Sequence, residues 1–585
     1  VSRALRSILF LVTLMLAGCG ADNKAEVSLP ADLILHNARV YTFDWPAPAG
    51  ADGQPAAQSP HTDGGWEPDA SAVAVRGGLI VAVGGDAAML ALAGPQTRKI
   101  DLQGQTLLPG LADSHTHVFE LGAKLNTVDL VDVETEAEAV ALLAAAAQEQ
   151  RPGQWVLGQG WDEGAWANRY PSKTLLSAAV PDHPVALKSL HGFAVWVNQT
   201  ALDELGIAAE TAVPVGGEMR LGTDGEPNGL FLNRATTLVN DRLPARSPAQ
   251  LEDDLLKALE DMARNGYTTV HEAGTPAAHM AVLEKLEAEA RLPLRFYAML
   301  SVRDEALAKQ WLERGPDTDS DSMLVTRSVK AYYDGALGSR GARLLEGYAD
   351  QPQHRGISGD GYGFNQALTR ALMDAGFQVG IHAIGDAGNR EVLDFIEAVQ
   401  RDSGRVGRHR IEHAQVLHPD DLPRLAELGV VASMEPPHAV EDKRWAEDRL
   451  GAQRIQGAYA WRSLLAQNTA LTFNADNPGS DHNIFYGLHA AVTRRDKDKA
   501  PPGGWYPEQA VTMEEALRAY TSGAAFAAFR EAQTGRIAPG LWADLTAMDI
   551  DPLVVADTDP DGLLRGQVTM TVVGGQLRYQ ARSDR

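Results

Sequence analysis

The chain has 585 residues, 44% of them hydrophobic and 22% charged, a balance that excludes wholesale disorder and exceeds what one hydrophobic core organises. A net charge of −25 and a pI near 5.0 exclude nucleic acid and anionic lipid surfaces as partners. One large domain with a smaller companion is the expected arrangement.

At the N-terminus, Arg3 and Arg6 precede an apolar run from Ile8 to Leu16 that is too short for a membrane span and reads as an export signal. The run ends in Leu16-Ala-Gly-Cys19, the pattern of a bacterial lipobox. Residues 1–18 are therefore expected to be removed, Cys19 to carry a lipid anchor, and residues 19–30 to act as a tether. The protein is then expected at a membrane, on the periplasmic or cell-surface side. An ordinary secretory signal cut after Ala21 is the alternative. Cys19 is the only cysteine, so it forms no internal disulfide and no thiolate metal site.

From Ala31 to Val40 the chain is strand-like, and Trp45 to Pro68, rich in Pro, Gly and Ala, reads as a surface loop. Ala72 to Gly84 reads as a hairpin turning at Gly77-Gly78. The C-terminal stretches from Ala543, Gly566 and Gly574 have the same β-rich character. The expectation is a small β-sandwich built from both ends, residues 31–105 and 530–585. The middle, 106–529, alternates apolar runs with amphipathic helices at Leu251–Asn265, Ala277–Ala290, Asn365–Ala375, Asn389–Arg401 and Met513–Phe529. That alternation predicts an α/β fold whose parallel sheet closes into a (β/α)8 TIM barrel.

Candidate ligands stand at the ends of these runs. Leu107-Leu-Pro-Gly-Leu-Ala-Asp-Ser-His115-Thr-His117 ends in two histidines that a strand aims to one side. His382 closes Phe377–His382, His413 closes His409–His413, and Asp476 follows Ala470-Leu-Thr-Phe-Asn-Ala. From His382 to His413 is about one strand–helix unit of a barrel whose ~250 residues make eight, and from His413 to Asp476 about two. Two His on strand one, one each on strands five and six, and an Asp on strand eight would converge at the carboxyl ends, where barrel active sites gather. His271-Glu-Ala-Gly is assigned to strand three.

This text resembles the metal-dependent amidohydrolases from about Asp32 to Arg578, and more narrowly amidohydrolase family 3, which includes N-substituted formamide deformylases. The matching segments are Leu108-Pro-Gly-Leu-Ala-Asp-Ser-His-Thr-His, Gly160-Trp-Asp, Trp196-Val-Asn, Val329-Lys-Ala-Tyr-Tyr-Asp-Gly-Ala-Leu-Gly-Ser-Arg, His382-Ala-Ile-Gly-Asp and His409-Arg-Ile-Glu-His-Ala-Gln. The resemblance implies two divalent metal ions, with zinc suited to such ligands. It implies that His115, His117 and Asp476 hold one ion, that His382 and His413 hold the other, and that Lys330 bridges them as a CO2-derived carbamate. A buried lysine paired with Asp334 is the alternative at that position. A metal-bridging hydroxide would attack, with Asp476 as general base and then acid. The implied function is hydrolysis of carbon–nitrogen bonds other than peptide bonds in a small molecule: an amide, an N-acyl or N-formyl amine, or a cyclic amide. Hydrolysis of an ester, lactone or phosphotriester, and a non-catalytic binding or regulatory lipoprotein, stay open as alternatives.

Several positions depart from the family text. Asp476 has a rival in Asp481. Phe193 stands where a histidine is common, and Glu435 where glutamine is frequent; neither is expected to touch the metal ligands. His115 and Lys330 lie more than twice as far apart as three barrel units need, so an insertion is expected at about 130–262. It carries Trp155, Trp161, Trp166 and Trp196, which read equally as its core or as a lid over the site. Trp161, His191 and His438 are the expected substrate-binding residues.

Overall fold

The computed structural model describes residues 29–48, 52–131, 133–161, 166, 170–189, 194–214, 217–319 and 322–582. The expected signal, Cys19 and all of the tether except Leu29 and Pro30 lie outside the described residues. Among the described residues, no helix is long and apolar enough to cross a membrane.

Eight strands lie side by side in chain order: Leu111–Thr116, Tyr267–Thr275, Arg295–Ser301, Leu324–Tyr332, Gln378–Ala383, Arg410–His413, Val431–Met434 and Leu471–Phe473. Every neighbouring pair is parallel. The ring closes between its first and last strands. His117 N donates to Asn477 O at 2.9 Å, and Ser114 Oγ donates to Phe473 O at 3.0 Å. This is a TIM-barrel-type α/β fold, and its strands are buried nearly throughout because helices cover one face and packed side chains fill the other.

The covering helices follow from apolar spacing and capping. Pro248–Arg264 starts at Ser247, whose side chain caps Gln250 N while Gln250 reaches back to Ser247 N. Leu251, Leu255, Leu259 and Met262 form its buried stripe. The long helix expected over Met513–Phe529 is instead two, Met513–Ala519 and Ser522–Ala527. It breaks because Tyr520 O accepts from Ala112 N of the first barrel strand, at 2.7 Å, and so is lost to the helix ladder. The stretch Trp45–Pro68, expected as loop, contains a short hairpin pairing His61–Thr62 with Gly65–Trp66.

Between the first and second barrel strands the chain builds a separate six-stranded sheet. It contains Val128–Asp129, Val156–Trp161, Val185–Ser189, Ala194–Val197, Pro227–Asn233 and Gly217–Leu221, in that spatial order. This corrects one strand assignment: His271 lies on the second barrel strand, not the third. The inserted sheet contains parallel strands of its own, which read in sequence like another barrel unit.

The N-terminal segment forms a four-stranded sheet and strands from both chain ends form a five-stranded one, and the two share one apolar cluster, including Leu33, Val73, Leu107, Leu545 and Val572. The barrel is tied to them by Arg295, on the third barrel strand. Its guanidinium donates to both Asp544 oxygens, Nε at 2.6 Å and Nη2 at 3.1 Å.

Candidate metal centre

His115, His117, Lys330, His382, His413 and Asp476 all line one cavity of about 420 Å³ at the carboxyl ends of the barrel strands. Asp476 Oδ1 lies 3.2 Å from His117 Nε2 and 3.5 Å from His115 Nε2, and Lys330 Nζ lies 2.9 Å from His115 Nε2. The ring centroids of His382 and His413 are 4.5 Å apart, and those of His115 and His413 5.0 Å.

Local backbone geometry makes this convergence possible. A strand alternates its side chains between faces, so the neighbours Glu412 and His413 would normally point apart. The chain leaves strand geometry there, with φ of 76° at His413 and 43° at Ala414, and both side chains turn inward. Asp476, at φ 48°, is likewise left-handed. Such conformations cost about 1–3 kcal/mol each and persist only where the surroundings enforce them.

The donor set fits cations. His382 Nε2 is buried without a hydrogen-bond partner among the described residues, and His413 Nδ1 has only the Glu435 carboxylate beside it, in poor hydrogen-bond geometry. Orphaned buried nitrogens of this kind cost about 1–3 kcal/mol each unless something satisfies them. Burial, reinforced by Lys330, pulls His115 down to about 4, so its ring is neutral, the form in which imidazole ligates. Burial opposes ionisation of Asp476, yet His115, His117 and His413 hold it well below the usual carboxylate range. Burial also pulls the Lys330 amine down to about 8. Lys330 makes no ion pair with Asp334, whose two oxygens are taken by the backbone N–H groups of Arg343, Ile384 and Gly385. A site built to hold ammonium would give Lys330 a carboxylate; here its hydrogen-bond neighbour is a histidine.

A second layer of residues holds the first. Glu412 Oε2 lies 2.7 Å from His115 Nδ1, and Arg410 grips Glu412 through Nε at 2.8 Å and Nη2 at 2.9 Å. Arg410 Nη1 reaches His271 Nδ1 at 3.1 Å, which places His271 inside the barrel. Gly380 makes this layer possible, since a Cβ there would stand 2.6 Å from Glu412 Oε1. Glu272 accepts from Val118 N at 2.7 Å and so fixes the start of the helix that follows His117.

Glu435 requires a correction. Its Oε2 lies 3.2 Å from His413 Nδ1 and 3.5 Å from His438 Nδ1, so it touches a proposed ligand after all. Residues 435–438 leave the seventh strand directly into a helix, which folds Glu435 back over the strand ends.

The remaining expected residues fall in different places. His438 lines the cavity. Trp161 does not: it is fully buried, packs against Trp166 at a tilt and against Trp196 edge to face, and donates to Leu187 O at 3.1 Å. These tryptophans belong to the apolar core on one face of the inserted sheet, which needs its own filling. Asp481 pairs with Lys497 and accepts from Asn483 N, away from the cavity lining. His191 and Phe193 lie outside the described residues. Arg410 and Glu412 are the supporting positions that sequence reasoning passed over, and Glu435 is one that it named but set apart from the ligands. The Arg-x-Glu spacing, which puts both side chains on one face of a strand, was the available signal for Arg410 and Glu412.

Comparison with known proteins agrees with this geometry. The sequence model of the amidohydrolase family matches residues 98–579. The protein YtcJ of Bacillus subtilis is 31% identical over 497 residues, covering 83% of this chain and 91% of that one. The N-substituted formamide deformylase of Arthrobacter pascens is 28% identical over 527 residues, covering 87% of this chain and 95% of that one. A crystal structure of an uncharacterized metal-dependent hydrolase from Pyrococcus furiosus superposes with a TM-score of 0.70 at 26% identity, covering 89% of this chain and 99% of that one. With the family matched over most of its length, the chain belongs to the amidohydrolase family and is a hydrolase of carbon–nitrogen bonds.

Proposed function

We propose that the protein hydrolyses non-peptide amide bonds in small molecules, such as N-acyl or N-formyl amines or cyclic amides, at a two-cation centre. His115, His117 and Asp476 would hold one ion, His382 and His413 the other, and Lys330 would join them after taking up CO2 as a carbamate. Zinc suits this imidazole and carboxylate set. Bound cations of this kind supply Lewis-acid polarisation of a carbonyl and make a water more acidic. The observation that carries the reading is the convergence of His115, His117, Lys330, His382, His413 and Asp476 on one cavity, with the buried His382 Nε2 left without a hydrogen-bond partner among the described residues.

Asp476 acts as the general base. Ionised among imidazoles, it accepts a proton from the attacking water and returns it to the departing nitrogen, a role worth about 10²- to 10⁴-fold in rate. His438, on the cavity wall and held by Glu435, is assigned to substrate binding. We read the two terminal sheets as one small β-sandwich. We also propose export and anchoring through Cys19, supported by Leu16-Ala-Gly-Cys19.

A panel of small amides assayed before and after metal removal tests this function. The expected result is turnover that chelation abolishes and zinc restores. Turnover of esters, lactones or phosphotriesters with none of amides would contradict it, as would amide turnover indifferent to chelation.

A further inference from the structure

One cavity-lining residue has no part in the chemistry above. Apart from Lys330 and the histidines, Arg303 is the only cationic side chain among the described residues of the wall. It stands just beyond the third barrel strand and is solvent-exposed. No carboxylate lies within ion-pair distance of it among the described residues, in a chain where 77 acidic residues outnumber 52 basic ones. Surface arginines elsewhere in this protein pair readily: Arg340 with Asp350, Arg424 with Asp394 and Glu397.

Arg303 is nonetheless held. Its Cζ lies 3.8 Å from the centre of the Tyr332 ring and 5.6 Å from that of Tyr362. Stacking engages the flat face of a guanidinium and leaves its in-plane N–H groups free to donate. Tyr332 is fixed in turn, because its hydroxyl lies against the backbone of Gly274, where a Cβ would come within 2.6 Å. Gly274, at φ 113°, has a conformation that glycine adopts without strain. The platform also adjoins the metal centre: the Tyr332 ring is 6.2 Å from that of His382 and 5.3 Å from Lys330 Nζ. A planar fork of free donors, pre-oriented beside the reacting groups, matches the two oxygens of a carboxylate.

We propose that Arg303 is a specificity-determining residue that binds a carboxylate on the substrate, so that the preferred substrates are anionic amides carrying an acid group close to the scissile bond. This rests on the amide-hydrolase reading and narrows it. The cavity lining also includes Leu337, Ile384 and Trp445, which suits an apolar or aromatic remainder.

The test compares N-acetylphenylalanine with N-acetylphenethylamine, which has the same skeleton without the carboxylate. Calorimetric binding and turnover are measured with the full metal-loaded protein and with its Arg303→Gln and Arg303→Lys variants. The expected result is a preference for the acid that falls about 10- to 100-fold in Arg303→Gln and is partly kept in Arg303→Lys. Equal or tighter binding of the neutral amide, binding of neither probe, or a preference that survives Arg303→Gln would overturn the proposal. Hydrolysis of both probes without preference would overturn it while leaving the hydrolase reading intact. Arg303-dependent binding of the acid with no hydrolysis of either probe would support the carboxylate site and count against the hydrolase reading alone.

Discussion

Glu412 Oε2 lies 2.7 Å from His115 Nδ1, and both side chains are fully buried. The contact fixes which nitrogen of His115 faces the cavity: with Nδ1 committed to Glu412, Nε2 is left for the site. Arg410 keeps Glu412 ionised, since burial alone would push that carboxyl upward and Arg410 leads the groups that hold it well below its usual range.

Glu412→Gln is therefore expected to weaken metal binding about 10- to 100-fold, the usual effect of losing a carboxylate behind a ligating histidine. Zinc titration by calorimetry checks it. The same change leaves Arg410 buried and uncompensated, so the melting temperature should fall as well.

Gly380→Ala tests the room that the same layer needs. A methyl group 2.6 Å from Glu412 Oε1 and 3.0 Å from Met299 Cε cannot be accommodated without movement. The expected cost is about 1–3 kcal/mol in chemical denaturation. A variant as stable as the parent would show that Glu412 is not held in this position.

Asp476 and Asp481 separate cleanly. Asp476→Asn should lower kcat by about 10²- to 10⁴-fold, because it removes the general base. Asp481→Asn breaks a surface pair with Lys497 and should change stability by less than about 0.5 kcal/mol. Steady-state kinetics of the two variants on one amide decide between them.

The Arg295–Asp544 pair predicts a stability effect far from the chemistry. Its side chains are 10% and 0% exposed, and they join the barrel to a terminal sheet. Arg295→Ala leaves a buried carboxylate uncompensated and should cost about 3–5 kcal/mol in urea unfolding. Replacing both residues with apolar ones of similar size should recover much of that loss.

The parts of this protein legible in its sequence are those that regular geometry dictates. His115, His117, His382 and His413 were legible as strand-end residues, and the spacings from His382 to His413 and from His413 to Asp476 matched barrel units. Other features depend on departures from that geometry. Glu412 backs His115 while its neighbour His413 lines the cavity because φ turns positive at His413, which alternation cannot foretell. Glu435 reaches His413 because the chain folds into a helix immediately after the seventh strand. His271 was miscounted by one strand because the inserted sheet carries parallel strands like those of the barrel. Trp161 matched a family segment, yet its burial beside Trp166 and Trp196 is a property of the insertion's own packing.

The central claim is a two-cation centre joined by Lys330, and metal content per chain tests it most directly. Purified protein is measured by elemental analysis beside Lys330→Ala, with circular dichroism confirming that the variant folds. The account predicts about two metal ions per chain in the parent and a sharp fall in the variant. A single ion unaffected by the substitution, or none in either protein, would contradict it.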